Sequence, residues 1–341
     1  MIDAYATERV YLDHLAPILA ELGHRDARLL VPTPQLVEHA AAKGLYAHLG
    51  KPRDAGPPTL LAGYRDRADC HPARRLALVE HGAGQTYCDA NNTNGYAGGE
   101  GWHRLELVLV PGPHAAKGWL AEYPDLEVVE VGCPRLDRWA DRAWSPPRYV
   151  STHWNRRPVV AFTWHWPCAQ TAETWHGFEH WWPAMRRVAQ LGSLDVVGHE
   201  HPKWGQTRRY APRHLYEKAG IPFVADADDV FAAADLLVAD NTSLLYEFAA
   251  VGKPVLVLNA PGYRRDVSHG LRFWDAIPGH MLDPGDDLHA GIEVALRDMD
   301  DLRDLRRAAV AAVYANTTKA GTVDRTATAR AVETLRRWAA E

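Results

Sequence analysis

The stretch VFAAADLLVADNTSLLYEFAAVGKPVLVL, residues 230–258, switches pattern three times. A short Ala-rich segment leads into the apolar run LLVAD, which ends at Asp240. The polar residues Asn241, Thr242 and Ser243 then precede a helix-length segment, LLYEFAAV, that stops at Gly252 before PVLVL resumes the apolar run. Aliphatic runs of this length without polar alternation belong to strands buried on both faces. A helix set between two of them is the connection that parallel strands require.

The same alternation extends outward in both directions. LALVEHG (76–82), LELVLVPG (105–112) and LEVVEVG (126–132) read as buried strands that end in turns. The pattern restarts with PVVAFTWH (158–165), LDVVGHEHP (194–202), DLLVAD (235–240) and KPVLVLNAP (253–261), with helical stretches at 180–191 and 243–251. Between the two series, DRAWSPPRYVSTHWNRRP (141–158) has three prolines and no apolar period, the composition of an interdomain linker. The expectation is an α/β protein of two doubly wound, Rossmann-like domains, residues 1–145 and 158–300, with their strand ends facing a central cleft. Residues 301–341 are helical in character, with a polar break at 316–323, and are placed to cross back to the N-terminal domain.

Composition narrows the function classes. At 341 residues, with 47% hydrophobic and 24% charged residues, the chain suits two globular domains. A net charge of −5 gives no electrostatic reason for bulk binding to nucleic acid or anionic membrane. No run approaches the length of a membrane span, and MIDAYATERV lacks the basic and apolar regions of a signal peptide. The expected location is cytoplasmic, with any membrane association peripheral. Cys70, Cys88, Cys133 and Cys168 are scattered, without metal spacing, and read as reduced thiols. Five of the thirteen tryptophans lie between Trp164 and Trp182, where core packing competes with ligand stacking.

Asn241 is a good helix N-cap, and Thr242 and Ser243 would then offer free backbone N–H groups in a first turn. Such a start suits a pyrophosphate, although the same tripeptide caps many ordinary helices. Metal motifs are absent: HGFEH (176–180) is not HExxH, and Asp226, Asp228 and Asp229 precede a helix, where acidic residues are favoured for electrostatic reasons. The Gly-rich stretch 89–104 matches no phosphate loop and reads as a polar loop over the cleft.

The order of these elements resembles the CDP-glycerol glycerophosphotransferase family, the teichoic-acid polymerases and their relatives. Its donor-binding stretch is matched by Asp229, Ala234–Asp235, Asp240, Thr242–Ser243, Gly252–Val255 and Tyr263–Arg264. VGCPRLDRW (131–139) is similar to its Gly-x-Pro-Arg-x-Asp segment, GHEHPKW (198–204) to its His-Pro motif, and VEHGAGQTY (79–87) to its His-Gly segment. After His81–Gly82, Gly84, Gln85 and Thr86 depart from the family's continuation, and Asn241 replaces its aromatic or hydroxyl residue.

The resemblance implies a GT-B fold and a metal-independent transferase moving a sugar or polyol-phosphate group from a nucleotide-diphosphate donor to an acceptor hydroxyl. It implies His81 as the base and His201 at the donor phosphates. The donor-binding set is Gly82, Thr163, His201, Asp240, Asn241, Thr242, Ser243 and Glu247. No cofactor is implied, since the nucleotide donor is a substrate; the acceptor is a glycan, polymer or protein hydroxyl. A UDP-sugar-dependent GT-B glycosyltransferase is the alternative. A sugar-nucleotide epimerase, whose N-terminal Gly-Thr-Arg-Pro-Glu segment is absent here, or a non-catalytic nucleotide-binding protein comes next.

Overall fold

The computed structural model describes residues 1–83, 104–140, 149–150, 153–167, 176–206, 212–260 and 276–341. The chain opens with β1 (Ile2–Tyr5), α1 (Arg9–Asp26), β2 (Ala27–Val31), α2 (Pro34–Ala42), β3 (Ala47–Leu49), β4 (Thr59–Leu61) and β5 (Leu76–Val79). It continues with β6 (Leu105–Val110), α3 (Pro113–Glu122) and β7 (Glu127–Glu130). Among the described residues these strands form one sheet in the order β3-β2-β1-β4-β5-β6-β7, and every pairing is parallel. The order reverses direction between β1 and β4, which opens a crevice at their C-terminal ends.

Burial explains why these segments are strands. β1, β4 and β5 are buried along their whole length, so their apolar side chains meet core on both faces. The exception is Asp3 in β1, whose buried carboxylate accepts from Arg28 at 2.8 Å and from Arg74 at 2.6 Å. α1 covers the sheet with Tyr11, Leu12, Leu15, Ile18, Leu19 and Leu22, spaced three and four residues apart as one helical face requires.

Two short strands, β8 (Tyr149–Val150) and β9 (His153–Trp154), pair antiparallel inside the proline-rich connection. The second series is β10 (Val159–Thr163), α4 (Phe178–Gln190), β11 (Asp195–Gly198), α5 (Pro212–Ala219), α6 (Ala227–Ala233), β12 (Leu236–Ala239) and α7 (Leu244–Ala250). It closes with β13 (Val255–Leu258), β14 (His280–Leu282) and α8 (Leu288–Arg297). Its parallel sheet runs β11-β10-β12-β13-β14, with the reversal between β10 and β12. Trp164 and Trp181 lie in this core, so these two members of the tryptophan cluster are packing residues.

The last helices, α9 (Asp300–Val313) and α10 (Ala327–Ala340), join the halves. α9 packs Ala309, Val310 and Val313 beside α7. The chain then returns to the first sheet, where the Ala315 N–H donates to the Pro111 carbonyl at 2.9 Å. Gly132, at φ +91°, admits this return, because a Cβ there would lie 2.3 Å from Asn316 Oδ1. α10 finally buries Ala331, Val332, Leu335 and Trp338 in the first core against α1.

Trp338 is the anchor of that return. It is 2% exposed, its indole N–H donates to Glu106 Oε2 at 3.0 Å, and the Arg75 guanidinium lies 5.0 Å from its ring centre. Replacing Trp338 with Ala is expected to cost about 3–5 kcal/mol, the range for truncating a large buried aromatic. A urea unfolding curve checks this; a loss below about 1 kcal/mol would show that α10 is not part of the first core.

Candidate active site

Both sheets present a crevice at the point where strand order reverses, and the candidate residues gather at these two edges. On the first half, Ala62 and Gly63 follow β4, while His81 follows β5. The His81 ring sits beside Tyr11 (5.1 Å between ring centres), Tyr64 (5.2 Å) and His14 (6.0 Å). Its Nδ1 lies 3.2 Å from the Ala62 carbonyl oxygen. A carbonyl only accepts, so Nδ1 carries the proton and Nε2 keeps its lone pair. Burial among these rings pushes His81 down to about 4, and the nearby Lys203 charge pushes the same way. His81 is therefore neutral at physiological pH, with Nε2 able to take a proton.

On the second half, Asp240 follows β12 and is fully buried. Its carboxylate accepts from the His165 N–H at 2.7 Å and the Gly177 N–H at 2.8 Å, which ties the loop after β10 to the start of α4. Burial raises Asp240 to about 7 against the pull of these two donors. Thr163 Oγ1, at the end of β10, lies 2.7 Å from His199 Nδ1. Thr163 and Asp240 thus shape the edge from below.

His201 has the opposite tautomer to His81. The backbone N–H of Lys203 donates to His201 Nδ1 at 3.1 Å, so Nδ1 is the bare nitrogen and Nε2 carries the proton. The ring is grouped with His165 (5.6 Å) and Trp166 (6.3 Å). Burial holds His201 well below the ordinary range, and a positive charge on His201 would also be repelled by neighbouring basic groups, the Lys203 ammonium among them. His81 and His201 come from the two halves, and His201 lies near enough to His81 to sense a charge on it. One offers an acceptor nitrogen and the other an N–H.

The remaining expected residues are placed differently. α7 starts at Leu244 with Ser243 as its N-cap in helical geometry, so Asn241 is not the cap and Thr242 and Ser243 do not form a first turn. The Thr242 N–H donates to the Asp240 carbonyl at 2.9 Å in a tight turn, and Thr242 Oγ1 accepts from the Leu244 N–H at 3.4 Å at the helix start. Ser243 instead meets Gly82, which holds φ +67°; a Cβ on Gly82 would lie 2.7 Å from Ser243 Oγ. Gly82 thus lets the halves approach closely. Glu247 is buried and accepts from Arg135 Nη1 at 2.8 Å, and Arg135 also pairs with Asp228 at 3.4 Å. Asp228 takes further ion pairs from Arg138 and, at 3.5 Å, from Lys43. Glu247 is committed to this junction, together with Arg135 of the Pro-Arg segment.

Several of these residues escaped sequence reading. His14 and Tyr11 belong to α1, before the first recognised strand, and His165 lies at the end of a quoted run without a role. The available signal was a histidine on the apolar face of a helix and a histidine at a strand end. Gly84–Thr86, the loop to residue 103, Tyr263–Arg264, Cys88 and Cys168 lie outside the described residues. Cys70 and Cys133 are buried free thiols. Among the described residues no group of His, Cys, Asp and Glu is arranged to hold a metal, and no helix is long and apolar enough to cross a membrane. Asp226 caps α6 by accepting from the Asp228 N–H at 2.8 Å.

Residues 198–325 match the family model described as CDP-Glycerol:Poly(glycerophosphate) glycerophosphotransferase. The match lies in the second half of the chain. Across 99% of this chain and 89% of the other, the fold is similar to the wall teichoic acid polymerase TagF, with TM-score 0.61 and 10% identity. It is similar also to MnaA of S. aureus in complex with UDP (TM-score 0.60, 14% identity, 99% and 96% covered). A third likeness is the UDP-GlcNAc 2-epimerase of Neisseria meningitidis bound to UDP-GlcNAc (TM-score 0.57, 12% identity, 98% and 99% covered). No curated protein matches by sequence. The fold is GT-B, with two parallel sheets facing a cleft.

The Arg135 junction yields a direct expectation. Arg135→Met leaves Glu247 buried without its cation, while Asp228 keeps Arg138 and Lys43, and the broken buried pair costs about 3–5 kcal/mol. Chemical denaturation measures the loss. A near-neutral Arg135→Met would mean that the pair contributes nothing to holding the halves together.

Proposed function

We propose that the protein transfers a polyol-phosphate or sugar group from a CDP-glycerol-type nucleotide-diphosphate donor to an acceptor hydroxyl. The opposed tautomers of His81 and His201 at the cleft carry this reading. The acceptor O–H lies against His81 Nε2, which removes its proton as the oxygen attacks. For a polyol-phosphate donor, a new P–O bond forms at the distal phosphorus while the bond to the bridging oxygen breaks, and nucleoside monophosphate leaves. His201 Nε2–H donates to the phosphate oxygens as they gain charge, a contact that strengthens along the reaction. Thr163 and Asp240 set the edge that receives the donor, and Gly82, Asn241, Thr242 and Ser243 border it from the junction. Glu247 acts on the donor site through Arg135. No metal or cofactor is assigned in this scheme.

The family match over residues 198–325 favours this transferase over epimerisation, while the shared fold alone serves both. A soak of a variant of the wall teichoic acid polymerase with CDPG supports a donor of this type. A UDP-sugar donor would use the same phosphate contacts, and a thermal-shift panel of CDP, UDP, GDP and TDP separates the two. A site filled well above its Kd must raise the midpoint. No stabilisation by any of the four at millimolar concentration would sink the donor-cleft reading.

His81→Gln is expected to lower kcat by about 10²–10⁴ while leaving nucleotide binding within about twofold. Equal loss of both, measured by steady-state kinetics and calorimetry, would remove His81 from the role of base. The pH profile supplies an independent check. A base works when deprotonated, and His81 is pushed down to about 4, so the acid limb of kcat/KM should fall near pH 4. An acid limb at pH 6.5, the ordinary histidine value, would contradict the buried environment described here.

A further inference from the structure

Lys203 follows the His-Pro pair in the turn Pro202–Gln206, directly after the β11 edge. Its backbone N–H fixes the His201 tautomer at 3.1 Å. Its side chain reaches across to the first half: Nζ lies 3.6 Å from Glu8 Oε1, while the Trp166 ring of the second half lies 5.5 Å from it. Glu8 stands at the start of α1, immediately after β1, at the crevice of the first sheet, and its side chain makes no cap bond to the helix. The ion pair therefore spans the cleft between the two strand-reversal points. At 3.6 Å it is long, and both side chains keep about 30% of their surface exposed (27% and 33%). Pairs of this kind are weak and easily exchanged for a better anion.

Other cations near the junction are engaged more firmly. Arg135 is buried against Glu247 and Asp228, and Arg138 and Lys43 also hold Asp228. Lys203 differs in that both histidines sense its charge while its only described ionic partner is the exposed Glu8 carboxylate.

We propose that Lys203 is a donor-phosphate ligand which Glu8 holds in waiting. A nucleotide diphosphate entering between His81 and His201 takes the Nζ from Glu8, and the flexible lysine stem lets the ammonium follow phosphate charge onto the leaving group. Trp166 backs the cation in both positions. The inference rests on the transferase reading and adds a residue outside the expected site set. It also makes the two ends of one ion pair act in opposite directions: Lys203 binds the donor, and Glu8 competes with it.

The test is calorimetric titration of the full chain with CDP, inorganic pyrophosphate and cytidine. Lys203→Met should weaken CDP and pyrophosphate by about tenfold or more, the effect of losing one charge-assisted contact, and leave cytidine unchanged. Lys203→Arg should restore pyrophosphate binding to within about threefold. Glu8→Gln should tighten CDP by about two- to fivefold, because the waiting contact is gone. A purely structural bridge predicts that Glu8→Gln and Lys203→Met weaken binding alike, and that outcome overturns the proposal. Unchanged CDP affinity in Lys203→Met also overturns it. If the unaltered protein binds none of CDP, UDP, GDP and TDP, the transferase reading itself has failed, and the loss is not specific to Lys203.

Discussion

The structure depends on Arg135 being satisfied inside the junction of the two halves. A guanidinium taken out of water is expensive unless its donors are met by carboxylates. Glu247, 2.8 Å away on α7, and Asp228, at the start of α6, meet them from the opposite half. Burial pulls against the charge on Arg135, and Glu247 and Asp228 outweigh it, so the guanidinium is held above its ordinary range. Since the partners belong to different sheets, the ion pair fixes how the two crevices face each other. The junction is therefore a requirement for the site, as well as a contribution to stability.

That constraint explains the electrostatics of the cleft. Once the halves are held close, with Gly82 against Ser243, the histidines at both edges lose solvent. Desolvation opposes positive charge, and His14, His81, His199 and His201 all fall below the ordinary range for that reason first. Neutral imidazoles have one donor and one acceptor nitrogen, and their neighbours decide which is which. A carbonyl beside His81 and an N–H beside His201 give opposite answers. One residue type thus presents a bare nitrogen at one edge and an N–H at the other through two backbone contacts.

How much of this the sequence carried depended on the range of the interactions. The strand runs named between 76 and 261, the parallel sheets and the helices near 180 and 243 follow from local periodicity, and the structure has them, while β8, β9 and β14 lie outside the named runs. The strands β1 to β4 went unread: β3 and β4 have three residues each, and β1 carries Asp3, whose polarity makes sense only once Arg28 and Arg74 surround it. The Asn241–Ser243 turn was misplaced for a related reason. Capping residues advertise a helix start, but the cap contact comes one residue later than expected, with Thr242 Oγ1 accepting from the Leu244 N–H at 3.4 Å and the helix beginning at Leu244. Glu247 reads from the sequence as a polar residue near a phosphate site. Only the fold brings Arg135, 112 positions away, to occupy it.

The two halves were not equally legible, and their chemical tasks give the reason. Phosphate is a fixed tetrahedral anion, so a half that receives it needs its contacts on short, rigid strand ends. Under the proposed transfer those contacts would lie within a few residues of β10, β11 and β12: Thr163, His165, His199, His201, Lys203 and Asp240. The family match begins at residue 198 and covers most of that edge. In the proposed reaction the opposite edge has a different task, positioning one hydroxyl against one nitrogen. It builds this from residues scattered over α1, β4 and β5, with Tyr11, His14, Ala62 and Tyr64 around His81. Such an environment leaves no compact motif, because burial and one carbonyl contact are enough to set the base. The same GT-B frame can therefore present one phosphate edge to many acceptor edges, and the first half is where this chain's own specificity has to be sought.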